Sequence, residues 1–368
     1  MRDAYWDVVK GLGILLVLLG HTGMFLTPYL YMYHVPLFFF VAGYFYNEKY
    51  SGQPFAYIGR KVEALLYPSA RYLLFFVVVH NLLLEAGFYS GQPVEGGVSS
   101  IGNNLYGMYG IQDFILHGFR NVLMLELEEL PSALWFIPMM FFDLIFLCAG
   151  LHMRERLSAF CGRGAWLVPA AFWLLLYLAG ARLLREGIFL EWHLHTGMVL
   201  TVSVVSGWLY RRFRNAIPCK ALLSIAGLAG IILVYRLTGS HVELSRGEII
   251  SPAVFPAVTL LGIAFHLGVS RLLAGIEPVA ALLSMLGRHS LFIIAFHFLG
   301  FRLVSLLLIH LHSLPPGWLP AFPCMGYPIL HGSWWLLYVA GGIFVPLLIL
   351  RMFHGLKKEF CRICDVKI

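Results

Sequence analysis

Charge is scarce in this chain. Only 12% of its 368 residues are Asp, Glu, Lys or Arg and 60% are hydrophobic. An average soluble protein carries about 25% charged residues. A soluble domain of this composition would expose large apolar patches, so lipid is the simpler solvent. Cysteine is also sparse, with six residues scattered along the chain. Cys148 and Cys219 sit in or beside apolar runs, where a small buried thiol needs no function. Cys361 and Cys364 form a lone C-x-x-C, whereas a zinc site normally needs four ligands, so no metal is expected. There is no G-x-S-x-G and no clear catalytic triad, hence no evident serine or cysteine nucleophile. No basic run interleaves with aromatics on a polar surface, so the formal charge of +7 does not point to nucleic acid. Internal repeats and low-complexity runs are missing too, and no A-x-A-like cleavage site follows the first apolar run.

Long apolar runs are what the chain does have. A membrane-spanning helix needs about 20 mainly apolar residues. Ten segments qualify as candidates: 8–27, 30–47, 62–84, 134–151, 165–184, 193–210, 219–237, 250–267, 289–312 and 333–352. With the N-terminus inside and the spans alternating, 18 Lys and Arg fall on inside segments and 5 on outside ones. This bias predicts an even number of spans with both termini cytoplasmic. The fold class is therefore an all-α polytopic transmembrane bundle of about ten helices. Residues 1–352 form the membrane domain and 353–368 a short basic cytoplasmic tail. The longest connection, about 85–133, falls outside. It joins the turn-rich "YSGQPVEGGVSSIGNN" to the partly amphipathic "IQDFILHGFRNVLMLELEEL". It is either a re-entrant or interfacial segment beside a site, or a mobile external loop.

The first run, "KGLGILLVLLGHTG", carries a cation at one end and a histidine near the other. Eleven helical steps turn about 1100°, close to three full turns, so Lys10 and His21 share a face about 16 Å apart along the axis. Asp7 lies one turn before Lys10 and can pair with it. A cation at the inner end suits an anionic donor held by its phosphates. An imidazole further out suits removal of a proton from an acceptor hydroxyl. The competing reading is a lone intramembrane histidine bonded to a neighbouring helix. Gly20, just before His21, permits close backbone approach.

Other residues extend this pattern. In "YHVPLFFFVAGYFYNEK", His34 either shapes an acceptor site or anchors at the interface with Tyr31 and Tyr33. Arg60 and Lys61 open the third segment, as donor contacts or as topogenic charges. Arg71 lies about nine residues into that span, where an arginine costs about 2.5–3.5 kcal/mol on insertion scales. It is expected to face a cavity, a carboxylate or a bound anion. Trp135 stands at an outer boundary, where aromatic-belt residues are ordinary. His297 lies well inside the ninth run. His193 and His195 are two apart and diverge on a helix, which is poor metal geometry.

Two stretches, "RDAYWDVVKGLGILLVLLGHTG" and "YMYHVPLFFFVAGYFY", carry a family resemblance. With Leu134–Phe136 and "HSLFIIAFHF", they resemble acyltransferase family three, multi-pass membrane O-acyltransferases that include fucose-4-O-acetylase-like proteins. The family's first-helix motif, a basic residue, ten positions and a histidine, falls on Lys10 and His21. The resemblance implies an acyl-CoA donor, usually acetyl-CoA, a carbohydrate acceptor and a catalytic His21. Many members carry Arg-x-x-Arg at the start of the third helix, and this chain departs from that with adjacent Arg60 and Lys61.

The leading expectation is acetyl transfer from cytoplasmic acetyl-CoA to a sugar hydroxyl of a glycan or lipid-linked saccharide. Transfer would occur at the outer side of a bacterial-type inner membrane. Lys10, Arg60, Lys61 and Arg71 would bind the donor, and His34, Trp135 and His297 the acceptor. Direct transfer and an acetyl-His21 relay both stay open. The rival class is an exporter of lipid-linked sugars or small anions, since intramembrane His and Arg also mark transport paths. It lacks paired inverted repeats with broken helices.

Overall fold

The computed structural model describes residues 4–94, 105–216, 220–239, 242–326 and 332–363, excepting the side chains of Lys220 and of 354–363. Residues 95–104 of the outer connection, Cys219 and Cys364 lie outside the described residues. So do residues 364–368 of the expected tail, and the backbone before them is helical to Ile363.

Among the described residues there are helices and no strands, with two isolated bridges, Ser90 to Leu105 and Glu243 to Glu248. The first third holds α1 (Ala4–His21), α2 (Thr27–Tyr31), α3 (His34–Tyr44), α4 (Pro54–Lys61), α5 (Tyr67–Val78), α6 (His80–Glu85) and α7 (Ile111–Val122). The middle holds α8 (Phe136–Cys161), α9 (Leu167–Glu186), α10 (Leu194–Phe213) and α11 (Lys220–Thr238). The last part holds α12 (Phe255–Ala274), α13 (Glu277–Arg288), α14 (Ser290–His312) and α15 (Trp334–Ile363). Among the described residues, six stretches are long and apolar enough to cross a membrane: Ala4–His21, Ser132–Glu186, Ala221–Thr238, Phe255–Ala274, Ser290–His312 and Trp334–Phe353. The chain is thus an all-α polytopic helical protein.

The ten expected segments fall largely on helix, but the first runs past the end of α1 at His21, and two others are interrupted. The 30–47 segment breaks into α2 and α3 at Met32 and Tyr33. Pro36 lacks an amide hydrogen and is tolerated only near a helix start, so the break falls just before it. The carbonyl of Met32 accepts a bond from the Thr259 hydroxyl at 3.2 Å. The 62–84 segment opens with a π-turn at Val62–Leu66. Pro68 would collide with the carbonyl four residues earlier, and the widened turn relieves that clash. The sequence reading passed over α13, whose 12 residues are too few for a span.

Glycines set the tightest helix contacts. A Cβ on Gly11 would collide with the Leu283 carbonyl, and one on Gly287 with the Asp7 carbonyl. The backbones of α1 and α13 therefore touch at two levels, the small-residue packing that lipid favours. Gly43 and Gly207 do the same for α3 and α10.

Charge gathers at the end where α1 begins. Arg211 donates to the Tyr46 carbonyl at 2.9 Å, Arg212 pairs with Glu48 at 3.5 Å and Arg154 stacks on Trp166 at 3.8 Å. There too Lys10 pairs with Asp7 at 2.8 Å, the contact that one-turn spacing predicts.

Replacing Gly11 with Val forces a side chain into backbone, and overpacking of this kind typically costs about 1–3 kcal/mol. Gly59, by contrast, has nothing within 4 Å of a built Cβ. Thermal unfolding in detergent should show Gly11→Val clearly destabilised and Gly59→Ala unchanged or slightly raised.

Candidate functional site

At the opposite end of the bundle lies a cavity of about 800 Å³. Pockets for small ligands fall in the range of about 300–1,000 Å³. His21, Tyr31, His34, Trp135 and His193 line it, together with Phe25, Phe38, Phe136, Phe298 and Phe322. Glu129, Glu243, Ser245, Arg246 and Glu248 supply polar groups. The lining is aromatic with a few carboxylates and one arginine.

His21 is the last residue of α1. A helix end leaves carbonyls without helical partners, and here the neighbours satisfy them. Thr22 donates its hydroxyl to the Leu19 carbonyl at 2.7 Å, Tyr31 reaches the Gly20 carbonyl at 3.3 Å, and the Cys324 thiol approaches the His21 carbonyl at 3.7 Å. A Cβ on Gly20 would lie 2.6 Å from the Tyr31 ring, so only glycine lets Tyr31 seal this turn. The His21 ring stacks on His297, centroids 5.3 Å apart, and meets Phe298 edge-on at 4.9 Å. His297 is fully buried and donates from Nδ1 to the Ile294 carbonyl at 2.8 Å. It backs the His21 ring and does not itself line the cavity.

His34 opens α3 directly after the helix break. Its Nδ1 donates to the Leu30 carbonyl at 2.9 Å, which leaves the lone pair on Nε2. The Tyr31 ring lies 4.8 Å away. The break therefore sets His34 and Tyr31 on one wall.

The opposite lip is pinned by Arg302, fully buried on α14. Its Nε donates to the Phe88 carbonyl at 3.1 Å, one terminal nitrogen to the Ala321 carbonyl, and the other to Glu129 Oε1 at 2.5 Å. One guanidinium thus joins α14 to the segment after α6, the Ala321–Pro323 loop and the entry to α8. Glu129, Phe322 and Pro323 all line the cavity.

Two further loops complete the rim. Residues 243–248 close on themselves, Glu243 and Glu248 exchanging backbone bonds at 2.9 and 3.0 Å around Gly247, whose φ is +72°. Burial pushes the Glu243 carboxyl above its ordinary value, against bonds from Ser245 and the charge of Arg246. Trp192 and His193 both adopt positive φ, 55° and 52°. Consecutive non-glycine residues in that region are strained. The turn brings His193 to 5.1 Å from Trp135, and the Trp192 indole donates to the Leu123 carbonyl at 2.8 Å.

Of the residues singled out from the sequence, the structure brings together His21, His34 and Trp135, with His297 behind. Lys10 is on the same unbroken helix but at the far end. Arg60 lies over Tyr50 at 5.5 Å, Lys61 over Tyr57 at 5.2 Å and Arg71 over Tyr67 at 5.6 Å. None of these cations lines the cavity. Arg71 is exposed on α5 and has no carboxylate partner among the described residues. Sequence reasoning gave no role in the site to Tyr31, Glu129, His193, Glu243 or Arg302. Arg302 carried a signal, because the insertion cost argued for Arg71 applies equally to it. No group of three His, Cys, Asp or Glu that could hold a metal occurs among the described residues.

Comparison with known proteins adds to this geometry. A family model described as an acyltransferase domain matches residues 3–351. The nodulation protein NolL of Sinorhizobium fredii (strain NBRC 101917 / NGR234) is 26% identical over 187 residues, which is 43% of this chain and 50% of that protein. The chain thus spans about half the length of that curated relative. No solved structure matches.

Removing Arg302 takes the guanidinium partner from the buried Glu129 carboxylate, a loss of about 3–5 kcal/mol for pairs of this kind. Arg302→Met should be strongly destabilised in thermal unfolding. Arg302→Lys should rescue little, since an ammonium cannot serve three diverging acceptors. Adding Glu129→Gln to Arg302→Met should recover part of the loss.

Proposed function

The chain belongs to acyltransferase family three, and from that premise we propose that it is a membrane O-acetyltransferase. It moves an acetyl group from cytoplasmic acetyl-CoA to a sugar hydroxyl of a glycan or lipid-linked saccharide at the outer side of a bacterial-type inner membrane. The observation that carries this reading is the position of His21. It ends an unbroken helix that begins beside a cation, and its ring borders a cavity large enough for a sugar.

The chemistry follows from that ring. His21 takes the proton of the acceptor hydroxyl, and the oxygen attacks the thioester carbonyl. The tetrahedral adduct collapses, the C–S bond breaks, and CoA leaves as thiolate. The proton on His21 then passes to the thiolate or to water. His297 keeps the imidazole in place from behind. The aromatic walls suit the C–H face of a pyranose, with Trp135 foremost, and Glu129 and Glu243 suit its hydroxyls. His34 offers a second lone pair on the same wall. Lys10, Arg60, Lys61 and Arg71 are the donor contacts of this reading, and Lys10 is the one on the helix of His21.

CoA release by the purified full-length protein tests this. His21→Ala should lower release from acetyl-CoA by about 10²–10⁴-fold, the usual contribution of a general base. An exporter would release none in either form. With labelled acetyl-CoA and no acceptor, direct transfer leaves the protein unlabelled; stable label lost in His21→Ala would establish an acetyl-histidine relay instead. Glu243→Gln should raise the acceptor KM while leaving acceptor-independent CoA release near its starting rate.

A further inference from the structure

A second cavity, about 670 Å³, lies between α10, α11 and α12, with Phe40 of α3 at its floor. It is separate from the His21 site. Phe38 lines one cavity and Phe40 the other, two residues and about 200° apart on α3. Its walls are almost entirely hydrocarbon, with Leu209, Phe213, Leu228 and Leu260 typical. The outer wall is α11, the least buried of the apolar helices, with Leu222, Ile225 and Leu233 more than half exposed. In a chain of this class such a face meets lipid rather than water.

One end of the groove is different. Arg271 and Tyr210 line it there. An aromatic cluster surrounds that end: Trp6 lies 3.9 Å from Tyr44 and 6.5 Å from Tyr210, centroid to centroid. Two guanidiniums rest on the cluster, Arg271 over Tyr5 and Arg214 over Tyr44, each at 5.9 Å. Arg214 also donates to the Tyr44 hydroxyl. Neither arginine has a carboxylate partner among the described residues. An apolar slot that ends at Arg271, with Arg214 on the adjoining aromatic cluster, has the shape and charge of a site for a phospholipid with an anionic head.

We propose that this groove is a binding site for an anionic phospholipid of the arginine-side leaflet, one acyl chain between α10, α11 and α12 and the phosphate at Arg214 and Arg271. The site is built from α3, α10, α11 and α12 and needs no step of the acetyl-transfer reading. Its occupant is fixed by two features together: the hydrocarbon walls select a chain, and the guanidiniums, without a carboxylate partner among the described residues, select a negative head.

Lipid retention tests it. The full-length protein in detergent is mixed with phosphatidylglycerol or phosphatidylcholine of the same chains, and bound lipid is counted by native mass spectrometry. Phosphatidylglycerol should be preferred, and Arg271→Gln and Arg214→Gln should each lower its retention by about fivefold, leaving phosphatidylcholine unchanged. Ser206→Phe, which fills the slot, should lower both lipids. A phosphatidylglycerol carrying a photoreactive chain should label residues of α10, α11 and α12 in the unaltered protein, a readout that no variant's folding can spoil. Equal retention of the two lipids, indifference to both arginine substitutions, or label confined to other helices would each overturn the proposal. Absence of CoA release by the unaltered protein, with lipid binding intact, would count against the acetyl-transfer reading alone.

Discussion

A single guanidinium organises the cavity end of this protein. Arg302 is sealed from water, so every N–H it carries must find an acceptor inside the protein. The acceptors come from three segments far apart in sequence: Phe88, Glu129 and Ala321. Those segments lie before, within and after the elements that enclose the cavity. Without the cation, the buried Glu129 would lose its guanidinium partner. The loops that carry Phe322 and Ser132 would lose their common anchor. A buried ion pair is seldom a source of stability in itself, but it is costly to break, and here that cost keeps the lip of the cavity in one place.

The inner wall obeys a different constraint. Here backbone touches backbone, at Gly11 with Leu283 and at Gly287 with Asp7, and the position of α1 is set without long side chains. At the far end of the same helix the carbonyls of Leu19, Gly20 and His21 are each engaged by a neighbour. Between these two clamps lies an apolar rod with a cation at one end and an imidazole at the other. The two histidines nearest His21 have their tautomers fixed by main-chain carbonyls. His21 has no such bond among the described residues, and its ring faces the cavity with both nitrogens uncommitted. That contrast distinguishes it from His34 and His297 more clearly than sequence position does.

Helical class and the pairing of Asp7 with Lys10 were legible from apolar period and spacing alone, whereas the first segment, expected at 8–27, is the helix Ala4–His21, because apolar residues continue past the turn that ends it. The gathering of His21, His34 and Trp135 was legible only with the family resemblance, since nothing in spacing brings the ends of three separate segments together. The break at Met32 and Tyr33 was not legible, because it draws on Thr259, 227 residues away, whose hydroxyl satisfies the freed Met32 carbonyl. The helix α13 escaped notice because a short amphipathic stretch with Glu277 and Arg288 at its ends has the pattern of a connection. Arg71 and Arg302 carry the same cost argument in sequence. One lies exposed over a tyrosine and the other is fully buried, a difference that only the packing of α5 and α14 decides. The rim residues Glu243 and His193 were hidden for a related reason: loops acquire their direction from backbone dihedrals such as those at Trp192 and Gly247.

The clamps on α1 also say where evolution is free to alter length. A residue inserted between Gly11 and Gly20 would rotate everything beyond it by about 100° and advance it by about 1.5 Å. The imidazole would swing off the cavity while the glycine contact held the first turns in register. Insertions in the 85–133 connection or after Gly187 impose no such rotation. Relatives with the same chemistry should therefore differ freely in loop size and hardly at all in the number of residues between cation and imidazole.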